Sequence, residues 1–138
     1  MADAKWSTLG TASGNIASTT LNSLGNGSES AVVTYDNSTN KYLYALVKVK
    51  LGSFTSTAGA SITLRVATND ATDSDDTATA GDLYIHTLTV GASAKVAIFP
   101  MVRIYPFSLR LSVTNNAGAS FASSSNSIDV IPYGETIA

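Results

Sequence analysis

The most concentrated group of chemically active side chains is an acidic run in the middle of the chain, formed by Asp70, Asp73, Asp75 and Asp76. Clustered carboxylates are hard oxygen ligands of the kind that bind Ca²⁺. The EF-hand pattern is not met, because the sixth position from Asp70 is Asp75, where glycine is required, and the twelfth is Gly81, where glutamate is required. We expect a solvated acidic loop, with a metal site as the alternative.

His86 is the only imidazole, so a serine, histidine and aspartate triad would depend on it. No serine has the G-x-S-x-G surroundings of a nucleophile elbow. His86 alternates with Ile85 and lies next to Tyr84, which predicts a surface position on the polar face of a strand. Glu29 and Glu135 are near opposite ends of the chain, which argues against a paired-carboxylate glycosidase. The sequence predicts no enzymatic activity and no cofactor.

Aromatic side chains offer a third kind of chemistry, because they stack on sugar rings or cover a protein interface. They are Trp6, Tyr42, Tyr44, Tyr84 and Tyr105. Tyrosines on the outer face of a strand more often cover neighbouring strands or an assembly interface. A carbohydrate-binding or adhesin module is therefore the alternative to a protein interface.

The composition excludes several function classes. Charged residues make up 13% of the chain and the formal net charge is -2, so the clustered Lys and Arg that bind nucleic acid are missing. The chain has no cysteine and therefore no disulfide or thiolate metal site. It has no apolar run of the roughly eighteen residues that span a membrane, and no secretory leader is recognised. We expect a soluble protein made in the cytoplasm.

The elements that position these side chains are predicted to be β-strands. Apolar residues occupy the odd positions from Leu43 to Leu51, and the same alternation recurs over residues 62–66 and 107–113. Further candidate strands cover residues 31–35, 83–90, 95–104 and 127–133. Within the last two, Pro100 and Pro132 predict sheet edges or bulges, because proline has no N–H to donate. Turn residues at 36–40 and 115–118 predict hairpins.

Seven or eight short strands indicate an all-β chain with a single antiparallel β-sandwich, of jelly-roll or immunoglobulin-like topology. We assign this sandwich to residues 28–138 and an extended N-terminal arm to residues 1–27. The arm has apolar anchors but no strand periodicity, so we expect it to dock on a partner and its deletion to leave the sandwich folded. The candidate interface residues are Trp6, Leu9, Ile16, Leu21, Tyr42 and Tyr44.

Two stretches resemble a family of small virion structural proteins of tailed bacteriophages. The first is YDNSTNKYLYA at residues 35–45, followed by Leu51, Gly52 and Ser53. The second runs from VTNNAG at residues 113–118, through residues 121–123 and Asn126, to PYGE at residues 132–135. Together they cover under half of the chain, and the acidic run between them has no counterpart in the resemblance.

The resemblance implies a capsid decoration or cement protein that binds the major capsid protein lattice and stabilises the head. Such proteins are β-sandwiches or jelly rolls and are often trimeric, and the family supplies no catalytic residues. We therefore expect a virion location, other virion proteins as partners, and a homo-oligomer, most often a trimer. A phage tail component and a carbohydrate-binding module are the alternatives.

Overall fold

The computed structural model describes residues 4–7, 9–69 and 82–137. Within them the chain forms nine strands and no helix, so it has no helical segment that could cross a membrane. The strands are β1 (Ala4–Trp6), β2 (Val33–Asp36), β3 (Tyr44–Ser56), β4 (Ser61–Asn69), β5 (Asp82–Thr87), β6 (Gly91–Arg103), β7 (Ser108–Asn116), β8 (Ser127–Tyr133) and β9 (Glu135–Ile137).

Seven of these strands form two packed antiparallel sheets, which confirms the predicted β-sandwich. The four-stranded sheet has the order β2-β7-β4-β5 and the three-stranded sheet has the order β6-β3-β8, while β1 pairs with β9. The first strand of the sandwich, β2, pairs with β7, whereas the first two strands of an immunoglobulin sheet are neighbours. The core between the sheets includes the fully buried side chains of Val47, Val49, Ile62, Leu64, Leu109 and Val113.

The predicted alternation holds within the strands and fails just before them. In the first part of β3, the even positions from Tyr44 to Lys50 face outward and the odd positions from Ala45 to Leu51 are buried. Leu43 and Phe107 were expected to begin buried faces. Leu43 precedes β3 and Phe107 precedes β7, and both side chains are about half exposed. The buried face of each strand therefore starts two residues later than the sequence predicts, at Ala45 in β3 and at Leu109 in β7.

The hairpins predicted at residues 36–40 and 115–118 are wrong. Each of these connections leads from the four-stranded sheet to the three-stranded sheet. Asn37 holds the first corner: its amide nitrogen donates to the carbonyl oxygens of Tyr42 and Tyr105, at 2.8 and 2.7 Å. Asn115 holds the second corner by donating to Leu24 O and Ala119 O. These buried amides replace the ladder partners that a hairpin would supply.

Pro100 and Pro132 lie where the sequence predicts, in the edge strands β6 and β8. The register between β3 and β6 shifts so that Ala45 faces Val102 and Val47 faces Phe99. Two residues of β6, Pro100 and Met101, therefore lie opposite Leu46, which is a β-bulge.

The first part of the N-terminal segment is extended and docks on its own sandwich. Residues 9–16 lie along the outer edge of β8, where the backbone N–H groups of Gly10, Ser13 and Ile16 donate to β8 carbonyls at 2.7 to 2.8 Å. The segment then enters the sandwich, where Ala17 and Leu21 are fully buried. A boundary at residue 27 therefore divides one continuous hydrophobic core.

Candidate interaction surface

An aromatic cluster marks the end of the three-stranded sheet that β1 approaches. Tyr44 and Tyr133 face each other across β3 and β8, and their rings stack with centroids 5.7 Å apart. The Trp6 ring meets both edge to face, at centroid distances of 5.8 and 5.7 Å. Trp6 nevertheless remains 56% exposed, so the two tyrosines hold the indole in place without covering it.

An open groove of about 420 Å³ adjoins this cluster. We call it the Trp6 groove, and its lining residues are Trp6, Ser7, Leu9, Leu46, Pro100, Met101 and Tyr133. The bulge in β6 places Pro100 and Met101 along one wall, and the N-terminal segment supplies the other. Since Leu9 and Met101 are also more than half exposed, the groove presents a mainly apolar surface to solvent.

The side-chain hydroxyls of the groove already bond within the chain. Ser7 Oγ accepts the backbone N–H of Gly134 at 2.7 Å, and the Tyr133 hydroxyl donates to the carbonyl oxygen of Pro100 at 2.7 Å. Desolvation, with a smaller contribution from neighbouring Tyr44, raises the pKa of Tyr133, so its hydroxyl stays protonated at neutral pH. These bonds stiffen the groove and engage groups that would otherwise recognise a polar ligand.

The six candidate interface residues separate into two groups. Trp6, Leu9 and Tyr44 belong to the cluster and the groove. The other three are Ile16, Leu21 and Tyr42, which pack against the chain's own core. Leu21 is fully buried, so a folded subunit does not offer it to a partner. These three residues were predicted to be interface residues because a single sequence does not distinguish an internal anchor from an external one.

No protein-family model matches the chain, and no curated protein matches it. Its function is therefore inferred from the residues of the Trp6 groove and their geometry. Apolar side chains held on a stiff sheet, with one exposed indole at their centre, are the features of a protein-binding hot spot. Sugar recognition instead combines stacking with polar groups that fix orientation, and the groove's hydroxyls are engaged elsewhere.

The predicted surface position of His86 is wrong. His86 and Tyr84 lie opposite the buried residues Ile62 and Leu64 of β4, so both turn toward the sandwich interior. The His86 ring packs edge to face on Phe99, with centroids 5.8 Å apart, and its Nδ1 is buried without a hydrogen-bond partner. The apolar residues Leu83 and Ile85 of β5 face solvent instead. Hydropathy predicts the opposite, with the apolar residues inside and Tyr84 and His86 outside.

The acidic candidates Asp70, Asp73, Asp75 and Asp76 lie outside the described residues. Across residues 4–7, 9–69 and 82–137, no three His, Asp or Glu side chains come together to form a metal-binding group.

Five lining residues of the Trp6 groove were not predicted: Ser7, Leu46, Pro100, Met101 and Tyr133. Leu46 and Tyr133 alternate outward in the burial pattern of β3 and β8, so their outward direction follows from strand periodicity. Leu46 and Tyr133 come close to Pro100 and Met101 only because the strands take the order β6-β3-β8. The turn residues in the sequence do not predict this order.

Proposed function

We propose that this protein is a structural subunit that binds a protein lattice through the Trp6 groove, and that this lattice is a phage capsid which it decorates and stabilises. The observation that carries the binding role is the half-exposed Trp6 indole, held against the stacked rings of Tyr44 and Tyr133 beside apolar walls. Large aromatic side chains fixed in this way are the usual energetic centre of protein interfaces.

Two features favour a protein lattice as the ligand. The groove walls are built from Leu9, Leu46, Pro100 and Met101, whose surfaces gain from contact with other apolar side chains. The low charge of the chain also suits a subunit whose faces are covered by neighbours. The phage context comes from the resemblance at residues 35–45 and 113–118, which makes the major capsid protein the proposed partner.

The test is a binding assay with capsids of the encoding phage that lack this protein. Wild-type chain is expected to bind and to raise the temperature at which the capsids rupture. Trp6→Ala should weaken binding at least about tenfold, since truncating a central tryptophan typically costs 2 kcal/mol or more. Phe107→Ala is the matched control, because Phe107 is similarly exposed but lies outside the groove.

A glycan array separates the carbohydrate-binding alternative. Binding of wild-type chain to a glycan, lost in Trp6→Ala and combined with no binding to capsids, would replace the lattice proposal with a carbohydrate module. Equal capsid binding by Trp6→Ala and wild type would show that the Trp6 groove does not contact the capsid.

A further inference from the structure

The free edge of the four-stranded sheet is built from an unusual strand. β5 ends the order β2-β7-β4-β5, and no described strand pairs with its outer edge. Leu83 and Ile85 are 54% and 71% exposed on its outward face. Tyr84 and His86 turn inward, opposite Leu64 and Ile62 of β4. An edge strand with two exposed aliphatic residues is a template for another chain.

The backbone of β5 is also open for pairing. The N–H of Leu88 donates to the carbonyl oxygen of Ala60 at 2.9 Å, and these residues continue the register that pairs Ile62 with His86. Hydrogen-bonded pairs recur at every second residue of an antiparallel ladder. The residues bonded to β4 are therefore the even ones, and the N–H and C=O groups of Leu83 and Ile85 point away from β4.

The neighbouring edge strand β6 carries a proline, a bulge and an inward-pointing lysine that block pairing, whereas the only charged residue of β5 is Asp82 at its start. Pro100 lacks an N–H, and a bulge distorts β6 at that point. Lys95 points inward, where its Nζ donates to the carbonyl oxygens of Gly91 and Ser93 at 2.8 and 3.0 Å. From Leu83 to His86, β5 has no proline and no charged residue. The open edge is therefore β5.

We propose that β5 pairs antiparallel with β5 of a second copy of this chain, about a two-fold axis at Tyr84. In this register Leu83 lies opposite Ile85 of the second copy, so the outward pairs are aliphatic and form the hydrogen-bonded positions. On the inward side Asp82 lies opposite His86 of the second copy, so a carboxylate meets an imidazole. The short sequence DLYIH is thus complementary to itself in both side chains and backbone.

The surroundings of β5 fit the same partner. A cleft of about 430 Å³ opens between β5 and β6, and its lining includes His86, Ile98 and Met101. Ile98 and Met101 are exposed apolar residues, which the second copy would cover. His86 lines the same cleft, and Asp82 of the second copy supplies a polar group beside its imidazole.

This contact joins two four-stranded sheets into one of eight strands, and it replaces the predicted trimer with a two-fold unit. It does not depend on the identity of the lattice. Light scattering across a dilution series is expected to give twice the 14.2 kDa mass of one chain. Ile85→Lys should give monomers that keep the wild-type circular dichroism spectrum. Val32→Lys is the matched control, since Val32 is an exposed residue beside the opposite edge strand, β2.

A wild-type monomer at all concentrations, a trimer, or a dimer that survives Ile85→Lys overturns the proposal. Trp6→Ala should leave the dimer intact, so a failure of the lattice role and a failure of the β5 contact are separable.

Cysteine cross-linking tests the register, because the chain has no cysteine of its own. Opposed residues of a hydrogen-bonded pair lie about 5.5 Å apart at Cα, within the roughly 4.4–6.8 Å that a disulfide spans. A mixture of Leu83→Cys and Ile85→Cys chains should form interchain disulfides, and each variant alone should form few. Cross-linking of Ile85→Cys alone to the level of the mixture would place the axis at Ile85 and overturn the Asp82 and His86 pairing.

Discussion

Along the β8 side of the sandwich, residues 9–16 of the same chain cover the edge strand, whereas β5 and β6 on the other side are not paired along their outer edges by any described strand. The closed side is held by backbone hydrogen bonds and by an ion pair between Lys50 and Asp129. The open side carries exposed aliphatic residues such as Ile85 and Ile98. An unprotected edge invites pairing with other chains, so the chain protects one side itself, while the other is the side of the proposed β5 contact.

This difference predicts how substitutions divide between the two sides. Residues of the closed side should change the free energy of unfolding, because the segment that they hold is part of the core. Residues of the open side should change association and leave the folded subunit intact. The following substitutions test the closed side, in order of decreasing effect.

The largest effect is expected for Leu21→Ala. Leu21 is fully buried where the N-terminal segment enters the core, and such substitutions cost about 2–5 kcal/mol. Leu9→Ala is the matched control, because Leu9 lies in the same segment but is mostly exposed, and it should change the stability by no more than about 0.5 kcal/mol. Urea unfolding followed by circular dichroism measures both. Equal stability of the two variants would show that the N-terminal segment does not contribute to the core and is a dispensable arm.

The sequence could predict the strands of the core but not the place of this segment. β3, β4 and β7 alternate with period two and were predicted with nearly their observed faces. The segment bonds through Ser7, Gly10, Ser13 and Ile16. Ser7 bonds to Gly134, just after β8, and the other three bond to Pro132, Val130 and Ile128 of β8. Three residues of the segment thus match two of β8, so its apolar positions follow neither the strand period nor the helix period.

The next effect is expected at Gly10, where the segment passes closest to its neighbours. A Cβ atom there would lie 2.9 Å from the Tyr42 hydroxyl oxygen and 3.0 Å from Pro132 Cγ. Gly10→Ala should therefore destabilise the fold by about 1–3 kcal/mol through overpacking.

Gly14→Ala is the control within the same segment. Its Cβ would meet only Asp129 Oδ1, at an ordinary 3.9 Å, so the loss of chain entropy in the unfolded state should leave stability equal or higher by up to about 1 kcal/mol. A chain that tolerates both substitutions equally would show that residues 9–16 do not lie on β8 in solution.

The candidate surfaces were less predictable than the core. Trp6, Leu9 and Tyr44 could be identified by residue type, but their neighbours Pro100 and Met101 come from β6, which is distant in sequence and is brought beside them by the sheet order. In β5, hydropathy assigned Tyr84 and His86 to solvent. The structure turns them inward because the Tyr84 hydroxyl accepts the backbone N–H of Arg103 at 3.0 Å, which closes the gap between the two sheets.

The smallest effect on the closed side is expected for Asp129→Asn, and it depends on pH. Although desolvation acts in the opposite direction, a hydrogen bond from the Asn15 backbone N–H at 2.8 Å and the Lys50 ammonium at 2.9 Å lower the pKa of Asp129. A carboxyl whose pKa is lowered by folding stabilises the protein above its unfolded pKa of about 3.9, and this contribution is lost as the pH falls through the folded pKa.

Because Lys50 is half exposed, solvent screens the pair, and Asp129→Asn should lower the free energy of unfolding by only about 0.5–1 kcal/mol at neutral pH. The difference from wild type should shrink as the pH falls below about 4, where wild-type Asp129 begins to take up a proton in the unfolded state. Lys50→Gln separates the two contacts, since it removes the ion pair and keeps the bond from Asn15. Urea titrations at neutral and acidic pH measure all three proteins, and a difference that is the same at both pH values would mean that the charge of Asp129 does not hold the segment on β8.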